Sequence, residues 1–432
     1  MLGEKHRRVA TYLAAAVFAL SLCYVGGRAM ARGAGDDAPI FYFGSRLLFH
    51  GGNPYDPAAL HAEWEISRRM GNTHPAPVPF VNPPIVALLV APAVPFDILP
   101  ALRVYAIYNF FCLLVCVYFL NRSLPEKTPA LTRLGLATWV MMLPPVMKVL
   151  SYGQSALFVC APLAIALYCL KRRSDLWGGF WLALSLAKFT ITLPFLLVLL
   201  IRGRWKPGLA SLFVFGAINL AFTLPIGLGT VLTTYRGSIK AVDGVDGIND
   251  PFSPLSWDSQ SIVSIKRLFI LLLGPHRTPV TIAIFVVTLL FGAVFVYLLR
   301  KRPVAEPALD DPLEVAAALM AGLALMYHRI YDLTSLMFVI YALAEYRIRY
   351  RHAQPTLWKI AMATLFVLSF FVIGTTWSRP FDFLLALLHL PSSPNFGSVL
   401  VFALLVQITI MLARQPTQAL TANEAERADA TS

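Results

Sequence analysis

Long apolar stretches separated by short polar breaks make up most of this chain. A helix needs about 20 apolar residues to cross the hydrocarbon of a bilayer. The stretches that reach or approach that length predict crossings near 9–29, 100–120, 132–150, 154–170, 176–187, 189–201, 208–226, 279–299, 313–327, 332–346, 357–376 and 395–413. Together they predict an all-α polytopic membrane protein of about twelve transmembrane helices, with residues 1–413 as a single membrane-embedded domain. Asp175 to Ile201 is apolar between two basic flanks, so it predicts a hairpin with arms of about 12 residues, or ~18 Å each. Its apex, Ala187-Lys188-Phe189-Thr190, is then expected below the outer surface, where an ionisable residue usually has a partner or a task.

Two longer polar segments remain, 31–99 and 227–278. In the first, Ile40 to Arg46 and the stretch from Ile85 to Pro95 are too short to span and predict helices lying in the membrane interface; Pro92 and Pro95 interrupt the second. Residues 414–432 are small and polar and predict a disordered tail.

Charge orients this pattern. Lys and Arg gather in short clusters at His6–Arg8, Arg122–Arg133, Lys171–Arg173, Arg202–Lys206, Arg300–Arg302 and Arg347–Arg351. With all six on the cytoplasmic side, as the positive-inside rule prefers, both termini are cytoplasmic and the two long loops are extracytoplasmic, in a plasma (inner) membrane. The formal charge of +13 therefore marks cytoplasmic loops rather than a nucleic-acid-binding stripe. Composition agrees: 57% of residues are apolar and 14% charged, far from a soluble domain. Lys5 to Arg8 before the apolar run Val9 to Val25 has the charge order of a signal peptide, but its length suits an uncleaved anchor. Cys23, Cys112, Cys116, Cys160 and Cys169 all lie inside apolar runs, which supports neither a disulfide framework nor a zinc site.

Candidate chemistry collects on the outer side. Asp36 and Asp37 precede Pro39 and follow the first crossing, where a carboxylate can cap a helix or act as a general base on an acceptor hydroxyl. Gly51 to Pro57 is turn chemistry, with Asp56 placed to cap a helix opened by Pro57. Asn82 stands before Pro83-Pro84, a turn able to shape a cavity. Lys188 can snorkel or meet a phosphate at headgroup depth. Gln154, in the turn Tyr152-Gly153-Gln154-Ser155, can hydrogen-bond a sugar, while Ser155 can cap the next helix. Arg329 lies outside against the charge bias, so Tyr327 to Asp332 offers either a loop salt bridge between Arg329 and Asp332 or an anion site with His328 and Arg329 donating to a phosphate. Trp257 to Ser261, including Gln260, and Lys266-Arg267 add polar groups in the second loop. No acidic cluster calls for a metal, Asp36 with Asp37 being the one candidate pair, and no nucleotide-binding motif is present.

In this order the pieces resemble glycosyltransferase family 87, membrane enzymes of the GT-C superfamily that include polyprenyl-phosphate-mannose-dependent mannosyltransferases. The resemblance runs through Asp37, Phe41-Tyr42, Arg46, Leu47-Leu48, Gly52 to Pro57, Asn82-Pro83-Pro84, Gly153-Gln154, Ala187 to Thr190, Ser259-Gln260-Ser261 and Tyr331-Asp332. It selects Asp37 over Asp36 by its spacing to the Asn53 turn. Asn82 stands where the family commonly has Tyr, and Ser259 where it often has Asn. The resemblance implies a GT-C-like bundle and inverting transfer of a hexose, mannose favoured, from a polyprenyl-phosphate donor to a lipid or glycan hydroxyl. Asp37 would then be the base, with Lys188, His328 and Arg329 at the donor phosphate. Asp36, Tyr42, Arg46, Asn82, Gln154, Gln260, Tyr331 and Asp332 would support the site, and no metal or other cofactor is required. Two other classes suit a helix-rich membrane protein with buried charges: a transporter or flippase of a lipid-linked sugar, and a lipid-diphosphate-dependent glycan ligase or polymerase. The first predicts an internal repeat, which is not seen, and the second a large late outer loop, whereas the largest here is the first.

Overall fold

The computed structural model describes residues 4–32, 35–76, 78–245, 247, 249–252, 262–302, 307–350, 354–372, 387 and 393–415. Gln260 and the tail from 416 onward lie outside the described residues. Helix α1 (Glu4–Arg32) leads to a folded segment made of α2 (Ala38–Phe49), α3 (Pro57–Arg69) and α4 (Val86–Val90). Pro39 opens α2 and Pro57 opens α3, since a proline suits the first helical turn. Asp56 accepts from the Ala58 amide at 3.0 Å, so it does cap α3. The two helices expected in the membrane interface are instead enclosed by protein. Residues 38–45 of α2 are all buried, and α4, cut to five residues by the following Pro92, buries all but Leu88 against α2. The apolar residues expected to face lipid are used to pack these two helices on each other.

Helix α5 (Ile98–Ser123) returns across the bundle, and α6 (Ala130–Met141) and α7 (Pro144–Tyr152) follow as one path bent by 46°. The bend falls at Leu143, which the following prolines push into an extended conformation. Helix α8 (Ala156–Lys171) packs between α5 and α9 (Asp175–Ser185), and after one turn of tighter helix α10 (Phe189–Ile201) begins.

By length and apolarity Asp175–Ile201 would serve as a single crossing of 27 residues. Its contacts say otherwise. Arg204, three residues past its end, pairs with Asp175 at its start at 2.6 Å. A straight helix of that length would hold those ends ~40 Å apart, and three residues can recover only ~10 Å. The Thr192 hydroxyl also donates to the Ser185 carbonyl at 2.8 Å, although residues seven apart in a continuous helix are separated by ~10 Å. The segment is therefore folded back at Lys188, as the basic flanks predicted.

The remaining helices are α11 (Trp205–Thr223), α12 (Leu228–Asp243), α13 (Ile265–Leu273), α14 (Arg277–Arg300), α15 (Pro312–Leu325), α16 (Leu336–Arg349), α17 (Pro355–Val367) and α18 (Ser393–Arg414). A two-residue ladder, β1 (Ile262–Val263) against β2 (His328–Arg329), ties the second long segment to the turn before α16. The fold is all-α and polytopic. Among the described residues six helical segments meet the length and apolarity of a membrane span, seven if α6 and α7 count as one, and α8, α15 and α17 are shorter apolar helices.

Four of the basic clusters converge at one end of this bundle. Lys171 pairs with Glu345, which also binds Arg349 at 2.5 Å; Arg202 faces Glu314 at 3.4 Å and Arg302 meets Asp311 at 2.9 Å. No side chain in these pairs, or in Asp175–Arg204, is more than 27% exposed, so each charge depends on its partner. Arg204 also donates to the Leu170 and Ala308 carbonyls, locking α8, α9 and the approach to α15 together. We expect Arg204→Ala to lower unfolding stability by about 2–4 kcal/mol, because it orphans one carboxylate and two carbonyls. Thermal unfolding in detergent checks this; an unchanged midpoint would show that the hairpin does not rely on this staple.

Candidate active site

At the end opposite the ion-pair network, the chain leaving α1 turns at Gly35 into α2. Asp37 stands at the start of α2 in helical conformation, and its carboxylate makes no cap bond, which removes the bland role available to it. Its amide donates to the Tyr152 carbonyl at 3.0 Å, and Gln154 Nε2 donates to Asp37 Oδ2 at 2.5 Å. This meeting depends on how α7 ends. Gly153 sits in the left-handed region at φ +70°, which glycine adopts without steric cost, so the chain reverses there and presents Gln154 to Asp37. Ser155 makes no side-chain cap bond to α8. Buried Asn109 of α5 fixes the turn from behind, donating to the Gln154 carbonyl at 2.9 Å.

Asp36 goes elsewhere. Its carboxylate meets His74 Nδ1 at 2.8 Å on the exposed side, so the neighbouring acids do not converge. Among the described residues no three His, Cys, Asp or Glu side chains gather as a metal-holding group.

Lys188, at the apex of the α9–α10 hairpin, pairs with buried Asp332, and its ammonium lies 5.2 Å from the Tyr331 ring centroid. Asp332 lies in the short turn Ile330–Ser335 that precedes α16. Its other oxygen faces His328 Nδ1 at 3.3 Å and accepts from the Arg329 amide at 3.2 Å. The far nitrogen of His328, Nε2, faces the Gly322 carbonyl at 3.1 Å. Gly322 is needed for this approach, since a Cβ there would come within 2.8 Å of the Thr190 carbonyl, two residues beyond Lys188. Burial by itself would raise the Asp332 carboxyl, but Lys188 and His328 outweigh it and hold the group at about 2, against an ordinary 3.8.

The two halves share one region. The turn Ile330–Ser335 packs on α7, whose last residue carries the carbonyl that holds the Asp37 amide. Tyr331 lies within electrostatic reach of both acids: burial raises its phenol well above the ordinary range, and the Asp332 and Asp37 charges add to this while Arg329 opposes it. Asp37, Gln154, Tyr331, Lys188 and Asp332 therefore form one polar cluster at this end.

Other expected members are placed differently. His328 is fully buried with both ring nitrogens against protein oxygens, so it sits behind Asp332 rather than at an open surface. Arg329 does not form the expected salt bridge with Asp332; its guanidinium donates to the Tyr327 hydroxyl at 2.8 Å and to Asn249 at 2.9 Å, joining the second long segment to this turn. Tyr42 and Arg46 bind each other at 2.8 Å further along α2, Tyr42 donating to the Phe96 carbonyl and Arg46 facing Glu63 and a cavity of ≈ 330 Å³ beside His50 and Asp97. They are not brought to Asp37. The Asn82 carbonyl accepts from Tyr55 at 2.7 Å, which fixes the turn before Pro83. Asn109, Asn249 and His74 were missed by sequence reading. Asn109 carries a visible signal, an amide inside the apolar run of α5; the other two sit in polar loops that offer none.

Residues 80–328 match the family model of glycosyltransferase family 87, more than half of the chain. The chain belongs to glycosyltransferase family 87. It is accordingly a membrane glycosyltransferase, acting on a sugar donor and an acceptor. The matched segment of this glycosyltransferase holds Asn82, Gln154, Lys188 and His328, whereas Asp37, Tyr331 and Asp332 lie outside it. No curated protein sequence matches the chain.

Because the folded-state carboxyl of Asp332 is depressed, its ion pair stabilises the fold fully above about pH 4 and loses that contribution as pH falls towards 2. We therefore expect Asp332→Asn to be less stable than the native chain at pH 7, by about 3–5 kcal/mol, with the gap narrowing by about 2 kcal/mol as pH falls from about 4 to 2. Thermal melts across that range test the pair.

Proposed function

We propose that this glycosyltransferase moves a hexose, mannose favoured, from a polyprenyl-phosphate carrier to a hydroxyl of a lipid or glycan acceptor, on the extracytoplasmic face and with inversion. The observation that supports this reading is that Asp37 and Lys188 both lie within reach of Tyr331, the Asp37 charge acting on its phenol and the Lys188 ammonium lying 5.2 Å from its ring centroid. An inverting transfer needs a base on the acceptor side of the anomeric carbon and a cation on the leaving-phosphate side.

In this mechanism the Asp37 carboxylate takes the proton of the acceptor hydroxyl as its oxygen bonds to the anomeric carbon. Gln154 holds that carboxylate through Oδ2 and so sets its direction. The bond from the anomeric carbon to the carrier phosphate breaks, and the phosphate leaves with the electron pair. Lys188 meets the growing negative charge. An ammonium has three N–H donors, and Asp332 and the Tyr331 face orient the group without removing its charge. His328 assists through Asp332, a change from direct donation that follows from its burial. Arg329 is a second cation at the rim, steadied by Tyr327 and Asn249.

Sidedness is supported by charge. The network of basic clusters at one end suits the cytoplasmic surface of a plasma (inner) membrane, which puts the Asp37 cluster on the opposite face. The start of α1 and the end of α18 then lie inside, since α1 runs from the other end to Gly35 and Arg302 binds Gln415 after α18.

Asp37→Asn should reduce transfer from a polyprenyl-phosphate hexose by at least 100-fold while the melting temperature stays unchanged, since general-base groups contribute about 10²–10⁴ in rate. Transfer assayed with purified protein in detergent, without vesicles, gives the readout and also separates transfer from transport. Full activity of the variant would remove Asp37 as the base, and product formed only in sealed vesicles would favour a transporter.

A further inference from the structure

Away from the sugar-transfer cluster, a cavity of ≈ 780 Å³ opens between α1 and α5. Its deep wall is apolar: Phe18 and Leu22 of α1 face Leu114 and Val117 of α5. Its shallow wall is cationic, with Arg122 at the end of α5 and Arg172 just after α8, both exposed. Arg133 also lines it, and its guanidinium is held by the Asn121, Pro125 and Thr128 carbonyls. Among the described residues Glu126 is the one acid in the lining, so the rim carries an excess of positive charge.

The two walls are arranged along the bilayer normal. Leu114 and Arg122 are eight residues apart on one helix, a rise of ~12 Å, close to half of a hydrocarbon core of ~30 Å. Arg122 and Arg172 belong to basic clusters at the end opposite Asp37, where α5 ends and α8 ends. A ligand filling this space needs an apolar chain reaching about mid-membrane and an anionic head at the surface. A free phosphate satisfies only the rim, and a neutral lipid satisfies only the deep wall. Basic pockets between transmembrane helices select anionic headgroups by this combination.

We propose that this groove is a binding site for an anionic phospholipid of the leaflet opposite the Asp37 cluster, with one acyl chain between α1 and α5 and its phosphate on Arg122 and Arg172. Arg133 acts as a fixed positive charge behind them, since its N–H groups are engaged with carbonyls. The bound lipid bridges α1, one of the less enclosed helices, to the body of the protein. This inference is independent of the sugar-transfer mechanism.

The test uses the full chain in detergent, titrated with phosphatidylglycerol or with phosphatidylcholine of the same acyl chains, and followed by melting temperature and by native mass spectrometry. Phosphatidylglycerol should raise the melting temperature by several degrees and stay bound as a single adduct, at least ten-fold more tightly than phosphatidylcholine, while inorganic phosphate has no effect. The double variant Arg122→Gln/Arg172→Gln should lose that preference, and Arg122→Lys/Arg172→Lys should keep most of it. Leu114→Trp, which fills the deep wall and leaves the arginines in place, should lose the adduct as well. Equal binding of the two lipids, an unchanged preference in the glutamine variant, retention in Leu114→Trp, or an equal effect of phosphate alone would each overturn the proposal.

Discussion

A lysine and an aspartate that cannot be buried apart decide how one polar end of this molecule forms. Lys188 belongs to the apex of the α9–α10 hairpin and Asp332 to the turn before α16, elements 144 residues apart in sequence. Removing either charge from water without the other would cost several kcal/mol, so the apex must meet that turn. The surrounding features follow from this meeting. His328 and the Arg329 amide meet the other oxygen of Asp332, Gly322 lets α15 approach the start of α10, and α7 packs on the same turn and carries Gln154 towards Asp37.

Charge is partitioned between the two ends of the bundle. At one end carboxylates of α9, α15, α16 and the segment before α15 neutralise arginines and lysines in closed pairs, which act as staples between helices. At the other end Lys188 pairs with Asp332, and the Arg329 guanidinium joins Tyr327 and Asn249. Family membership assigns the glycosyl chemistry.

Much of the architecture was legible because hydrocarbon leaves a helix few alternatives. The fold-back at Lys188 could be read from two basic flanks around a 27-residue apolar run, and the Asp175–Arg204 pair realises it. The cap on α3 was legible for a similar reason, since Asp56-Pro57 has one local solution. Legibility failed where a residue had several local solutions and its choice depended on distant chain. Arg329 could have taken Asp332, three residues away, but that carboxylate is engaged by Lys188 and His328, so its guanidinium turns to Tyr327 and Asn249. The α2 and α4 helices read as interfacial because they are short and apolar; only their mutual packing shows that they are enclosed by protein.

By itself the sequence determined the class of protein, a multi-pass all-α membrane chain, its hairpin at Lys188 and the end at which cations gather. These follow from local free energies: the cost of charge and unpaired backbone in hydrocarbon acts on each stretch of chain separately. Tertiary structure alone decided that Asp36 turns to His74 while its neighbour turns to Gln154, that His328 stands behind Asp332, and that Tyr331 lies within reach of both Asp37 and Lys188. Those choices depend on which groups meet across more than a hundred residues, and no local preference carries that information.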